Sequence, residues 1–72
     1  MHLIILKSDL NSEIKINYLN YLFRNNSNIF HWSIDNEDID NVLRVEAHKS
    51  ISENIIIKIL KQIGINSEPL PE

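Results

Sequence analysis

The sequence predicts an α+β fold in which two helices cover one face of a four-stranded antiparallel sheet. Three observations predict it. Hydrophobic period divides the 72 residues into six segments in the order β-α-β-β-α-β. Right-handed crossovers then place both helices on one face and give the sheet order 4-1-3-2, which is a ferredoxin-like two-layer sandwich. A chain this short builds one compact core, so residues 1–72 are expected to form a single domain.

The first two segments are a strand and a helix. His2–Lys7 is a short, continuous apolar run, which is typical of a strand in the middle of a sheet. Residues 12–25 carry apolar side chains at spacings of three and four, which predicts a helix with one buried face. Either Asn11 or Ser12 can cap its N-terminus. The residues predicted to form the buried face of this helix are Ile16, Leu19, Leu22 and Phe23.

A β-hairpin is predicted next. Turn residues 25–28 precede FHWSID, residues 30–35, which alternates apolar and polar side chains with the period of a half-buried strand. The polar loop 36–41 leads to VLRVEAH, residues 42–48, which alternates in the same way. The hairpin residues predicted to face the helices are Phe30, Trp32, Ile34, Leu43, Val45 and Ala47.

The last two segments are a second helix and an edge strand. Ser50 and Ser52 both fit an N-cap, and the helix is expected to run to Ile63. Gly64 occupies the position where a left-handed residue ends a helix, so residues 65–70 can return as the fourth strand. The prolines that restrict this strand to an edge of the sheet are Pro69 and Pro71.

Composition and charge argue against several classes of function. The chain has no cysteine, so it has neither a disulfide nor a thiolate metal site. Its formal net charge is -3 and its basic residues are scattered, so nucleic acid is not an expected partner. No apolar run approaches the ~20 residues that span a bilayer, and the N-terminal segment lacks the features of a signal peptide. We therefore expect a cytoplasmic protein that does not act at a membrane.

Three stretches, which together cover nearly the whole chain, resemble the heavy-metal-associated (HMA) domain family. They are LKSDLNSEIKI at the first turn, the hairpin HWSID…VLRVE, and ISENIIIKILKQIGINSEPL at the end. The family contains small metallochaperones and the metal-binding modules of metal-pumping ATPases. Its members bind soft ions such as Cu(I) or Zn through an M-x-C-x-x-C motif in the first turn.

The family's two metal-binding cysteines correspond to Ser12 and Lys15 in this chain. A serine hydroxyl is a poor neutral ligand, and a protonated lysine has no lone pair and repels a cation. The metal function implied by the family therefore does not carry over to these positions, and the resemblance implies the fold alone. We expect the turn to serve as a helix cap, and we expect no cofactor.

Other metal ligands are conceivable at two places. His31 and His48 share the outer face of the predicted sheet, whereas His2 has the parity of the core residues, so two imidazoles can approach one ion. Acidic residues gather at the opposite end of the sheet, where a hard cation is conceivable but a solvated turn is the more ordinary interpretation. The acidic residues at this end are Asp9, Glu13, Asp35, Glu37, Asp38 and Asp40.

The outer sheet face offers a different function. Leu3 and Ile5 are predicted to point outward from the central strand, next to Val42 and Arg44 on the third strand. Such an apolar patch with a charged rim suits an unknown protein partner or a second copy of the chain, although a few aliphatic residues are ordinary on any surface. No catalytic constellation is brought together by the topology. We therefore predict a non-enzymatic domain that acts by protein contact, with a histidine-based metal module as the alternative.

Overall fold

The computed structural model of the chain describes residues 2–37 and 39–70, and its elements follow the predicted order. They are β1 (His2–Ser8), α1 (Glu13–Arg24), β2 (Ile29–Asp35), β3 (Val42–Ala47), α2 (Glu53–Gln62) and β4 (Ser67–Pro69). Asp38 of the predicted acidic group and Pro71 of the predicted edge strand lie outside the described residues. Within the described ranges, neither helix is long and apolar enough to cross a membrane.

The strands form one sheet in the order β2-β3-β1-β4, and every neighbouring pair is antiparallel. Counted from the β4 edge, the order is 4-1-3-2. The predicted α+β class, with four antiparallel strands and two helices, is confirmed, and the arrangement is compatible with a ferredoxin-like fold. β1 and β3 occupy the centre of the sheet, which explains the continuous apolar run of β1.

One hydrophobic core lies between the helices and a single face of the sheet. Alternate residues of β1 and β3 enter this core from the sheet, while Leu19, Phe23, Ile56 and Leu60 enter it from the helices. Both helices therefore cover the same face of the sheet. The residues that β1 and β3 contribute are Ile4, Leu6, Leu43, Val45 and Ala47.

Both helices begin at predicted N-caps. The Ser12 hydroxyl accepts the N–H of Lys15 at 3.5 Å, and the Ser52 hydroxyl accepts the N–H of Ile55 at 3.3 Å. Both caps have extended backbone, as an N-cap requires. Of the two candidates at α1, Ser12 is therefore the cap and Asn11 is not.

α2 ends in a Schellman motif, which makes β4 shorter than predicted. Gly64 has φ 81°, the left-handed conformation that favours glycine. The Ile65 N–H donates to the Leu60 carbonyl at 2.9 Å, and the Asn66 N–H donates to the Asp9 carboxylate at 2.9 Å. Because these two amides end the helix and form the following turn, pairing with β1 begins only afterwards.

A β-bulge at the start of β2 overturns one expectation about the core. Ile29 opposes Ala47 and His31 opposes Glu46, so Phe30 is an extra residue in β2. Ile29 consequently points into the core, whereas Phe30 is 56% exposed. The prediction that Phe30 faces the helices is wrong, because strict alternation was assumed through a position where the register shifts. Trp32 and Ile34, beyond the bulge, do pack against the core.

Candidate functional site

The Lys15 side chain links the first helix to the end of the second. The Lys15 Nζ donates to the Gly64 carbonyl at 3.0 Å. This contact places a positive charge beside the C-terminus of α2, where it interacts favourably with the helix dipole. Lys15 also lies next to the one glycine of the chain, since its Nζ would be 3.4 Å from a Cβ at Gly64. The side chain therefore has a clear stabilising role.

The rest of this corner of the sheet is held by hydrogen bonds between three loops. The Asp9 carboxylate accepts both the backbone N–H and the side-chain amide of Asn66, at 2.9 and 3.0 Å. The Asn36 side chain donates to the Leu10 carbonyl at 2.9 Å, and the Ser8 hydroxyl donates to the carbonyl of the residue before β3 at 2.8 Å. These contacts connect the β1–α1 turn to the β2–β3 loop and to the α2–β4 turn.

The acidic residues at this end do not form a recognisable cation site in the described part of the chain. The Asp9 carboxylate is engaged by Asn66, and Asp35 Oδ1 accepts the Glu37 N–H at 3.1 Å. Within residues 2–37 and 39–70, no three His, Asp or Glu side chains are placed to hold a metal ion. The contacts of these described acidic residues are thus within a turn and between loops, and no cluster of ligands is formed among the described residues.

The histidines lie near the opposite end of the sheet, as predicted. His2 opposes Ala47 and His31 opposes Glu46, while His48 follows the last residue of β3. The predicted third strand is therefore one residue too long. His48 Nδ1 accepts the backbone N–H of Ser50 at 3.1 Å and lies 3.0 Å from the hydroxyl oxygen of the same residue, so Nδ1 is occupied by local contacts.

The outer face of the sheet holds the predicted contact residues. Leu3 opposes Glu46, and Ile5 opposes Arg44, across the pairing of β1 with β3. Leu3 is 52% exposed and Ile5 is half-buried, while Arg44 is exposed. These residues form the outer-face patch, which consists of Leu3, Ile5 and Arg44.

Val42 does not belong to the exposed part of this face. It is 4% exposed, so the expectation that it lines the patch is wrong. Val42 opposes Asp35 of β2 and, in the register of β1 with β3, lies beside Lys7. It is covered because it is the first residue of a central strand, flanked on both sides. The apolar side chains of the outer-face patch are therefore those of Leu3 and Ile5.

An ion pair between β1 and β4 borders the outer-face patch. Lys7 Nζ lies 2.8 Å from Glu68 Oε1 across the pairing of β1 with β4. The hydrogen bond with Glu68, and then its negative charge, raise the pKa of the Lys7 ammonium above its ordinary value. Since both side chains are partly exposed, the pair contributes more to the polarity of the rim than to stability.

A second apolar surface, which sequence reasoning did not identify, runs along the solvent side of α1. At 100° per residue its members fall within an arc of about 100°, whose centre lies roughly 130° around the helix from the mean direction of Leu19 and Phe23. The residues of this α1 stripe are Ile14, Tyr18, Tyr21 and Leu22.

The side chains of the α1 stripe are largely open to solvent. Ile14 is 82% exposed, Tyr21 is 64% exposed and Tyr18 is 52% exposed. The two tyrosine rings lie side by side, with centroids 6.5 Å apart. Leu22, which was predicted to lie on the buried face, is half-buried and stays outside the core. The spacings of four, three and one in the sequence were the signal for this second stripe.

Comparison with known proteins identified no relative of this chain. No protein-family model matches the chain, and neither the curated proteins nor the solved structures contain a significant match.

Proposed function

We propose that the chain is a non-enzymatic, ferredoxin-like domain that acts by binding another protein, with the α1 stripe as its main contact surface. It resembles an HMA domain in which the metal turn has become a structural corner. The outer-face patch is proposed as a second contact surface, on the opposite side of the domain. With no cysteine to oxidise, such a domain suits the cytoplasm.

The α1 stripe is the observation that carries the proposal. A helix of a two-layer domain needs one apolar face, which α1 already provides through Leu19 and Phe23. A second, exposed stripe adds nothing to that core. It exposes two tyrosines, a residue type enriched at protein interfaces and at their energetic centres. Adjoining exposed apolar side chains are the expected signature of a partner site.

The chemistry of the outer-face patch supports a weaker contact. Leu3 and Ile5 are neighbours on the outer face of β1, but charged residues of β3 and β4 surround them. A small apolar centre with a polar rim follows the pattern of protein interfaces on a reduced scale. The two surfaces lie on opposite sides of the domain, so variants can separate their contributions.

The proposal is tested by affinity capture with matched variants. Tagged native protein and the variants Tyr21→Ser, Leu3→Ser and Ile39→Ser are incubated with an extract of the source cells. Ile39 is an exposed aliphatic residue of the β2–β3 loop, away from both surfaces, and serves as the control. We expect a protein captured by the native chain and by Ile39→Ser, but lost with Tyr21→Ser.

The captured partner is then purified and titrated against each variant. A contact at the α1 stripe predicts that Tyr21→Ser weakens binding by roughly tenfold or more. Equal binding by native and Tyr21→Ser, with loss in Leu3→Ser, would move the contact to the outer face. Equal binding by all four chains would contradict both surfaces. In a parallel titration of the native chain with Zn²⁺ and Cu(I), stoichiometric amide shifts at His31 and His48 would favour the metal-binding alternative.

A further inference from the structure

The strand β2 has an open edge, in contrast to the opposite edge of the sheet. Among the described strands, β2 pairs with β3 alone, and its sequence IFHWSID contains no Pro, Lys or Arg. β4 is three residues long and ends in Pro69, which has no N–H to donate. Short length and proline are common ways of protecting an edge from another strand. The β2 edge has neither protection.

Backbone hydrogen bonds determine which groups of β2 point outward. The His48 N–H donates to the Asn28 carbonyl at 2.7 Å, so the backbone of His48 faces β2. Along an antiparallel strand, the N–H and C=O groups of successive residues point alternately to the two neighbouring strands. Every second residue of β3, counted from His48, therefore also bonds to β2. The β2 residues opposite these are His31, Ser33 and Asp35. Trp32 and Ile34 therefore direct their N–H and C=O groups to the open edge.

We propose that two copies of the chain pair through this edge, with their β2 strands antiparallel and a two-fold axis at Ser33. Trp32 of each copy then opposes Ile34 of the other. Because both residues point their backbone groups outward, the two pairs supply four N–H···O=C bonds. The result is a continuous eight-stranded sheet, with all helices on one side.

The side chains of β2 complement one another in this register. His31 opposes Asp35 of the second copy on the outer face, and these pairs are of the non-hydrogen-bonded kind, in which side chains are closest. An imidazole and a carboxylate at this distance can form a charge-assisted hydrogen bond. On the helix side, Trp32 opposes Ile34, an aromatic and β-branched pair of the kind that stabilises sheets. Ser33, at the axis, opposes itself without steric conflict.

Neighbouring registers lack this complementarity. With the axis at Trp32, the two indoles oppose each other and Asp35 falls opposite Ile29, beyond the bulge. With the axis at Ile34, Ser33 opposes Asp35. Registers with the axis between two residues are excluded, because they would oppose an outward-facing residue with an inward-facing one. The bulge at Phe30 ends the regular segment on one side, so the pairing is confined to the five residues from His31 to Asp35. A second copy is therefore the occupant that this edge fits best.

The first test is sedimentation equilibrium of the native chain and two variants of Ser33. In one chain Ser33 opposes Arg44, so Ser33→Asp forms an opposite-charge pair and keeps the fold, while two carboxylates meet at the axis of the dimer. Ser33→Asn is the uncharged control of similar size. We expect the native chain and Ser33→Asn to reach twice the monomer mass, and Ser33→Asp to raise the dimer Kd by roughly tenfold or more.

The second test is a cross-link, which the absence of cysteine makes unambiguous. Opposed residues at a non-hydrogen-bonded position have Cα atoms about 4.5 Å apart, within the range of a disulfide. Ser33→Cys is therefore expected to oxidise rapidly to a covalent dimer, while Leu3→Cys, on the outer-face patch, is not. A native chain that stays monomeric at millimolar concentration would overturn the proposal, and so would a dimer cross-linked by Leu3→Cys but not by Ser33→Cys. Neither result bears on the α1 stripe, whose test uses a different partner and different variants.

Discussion

Replacing Lys15 with methionine tests whether this side chain has become a structural link. Methionine keeps an unbranched apolar stem of similar reach but removes the ammonium group that donates to the Gly64 carbonyl. A hydrogen bond to a charged group contributes roughly 1.5–3 kcal/mol when shielded, and the helix dipole roughly 0.3–1 kcal/mol. Because Lys15 is exposed, water and salt screen both contributions, and we expect a net loss of about 1 kcal/mol.

A loss of this size is easy to measure in a small domain. A 72-residue chain has a free energy of unfolding of about 4–11 kcal/mol, so about 1 kcal/mol is a substantial share of it. Urea unfolding followed by the fluorescence of Trp32 should show a midpoint lower by about 0.5–1 M. Thermal unfolding should show a Tm lower by about 4–8 °C.

Lys61→Met is the matched control, because Lys61 is the basic residue in the last turn of α2. It removes the same charge from the same helix end without removing the bond to Gly64. Because Lys15 also lies in the first turn of α1, where a cation is unfavourable, a larger loss in Lys15→Met than in Lys61→Met is attributed to the hydrogen bond. If Lys15→Met is as stable as the native chain, or if both variants lose the same stability, the proposed link between the helices is wrong.

Three further predictions concern the β1–α1 turn, the core and the ion pair. If the turn keeps the geometry of the HMA family, the double variant Ser12→Cys with Lys15→Cys should bind Zn²⁺ stoichiometrically in a competition titration, whereas Ser12→Cys alone should not; equal affinity of the two would remove support for the resemblance. Leu60→Ala, at a fully buried site, should lower the free energy of unfolding by about 2–5 kcal/mol in urea titrations, and a loss below about 1 kcal/mol would contradict the observed core. Because Glu68 raises the pKa of Lys7, the contribution of Lys7 is present below its ordinary pKa of 10.5 and is lost as pH rises through the higher folded value. Above neutral pH, the stability difference between native and Lys7→Met should therefore shrink only when the pH is strongly alkaline, and a loss near neutral pH would contradict this assignment.

The elements of the fold could be predicted because each is specified locally. The apolar run of β1, the spacing along α1 and the cap at Ser52 are properties of neighbouring residues, and the structure confirms them. Gly64 likewise predicts its own positive φ, since the chain has a single glycine and it follows a helical segment.

The errors in predicting which side chains are buried arise where strand pairing, a property of the tertiary structure, decides their burial. Phe30 alternates with Trp32 in the sequence, but Phe30 is itself the extra residue of the bulge and is exposed. Val42 has the parity of the outer face and is nevertheless covered, because burial there depends on flanking strands that are distant in sequence. Neither effect has a local signature.

The candidate surfaces were predicted less completely than the fold. The outer-face patch followed from strand parity, and Leu3 is exposed as expected. The α1 stripe was present in the spacing of Ile14, Tyr18 and Tyr21, but a buried stripe on the same helix already accounted for the pattern. The contact between Lys15 and Gly64 joins residues 49 positions apart, so no local pattern in the sequence predicts it.

The contact between Asp9 and Asn66 has a consequence for the order of folding. These residues are 57 positions apart, so we expect their hydrogen bonds to form only after α2 has packed and the chain has returned to the C-terminal end of β1. The amide of Asn66 should exchange with deuterium whenever this last closure opens, even while the central strands stay protected. That single amide can therefore report local opening of the corner separately from global unfolding.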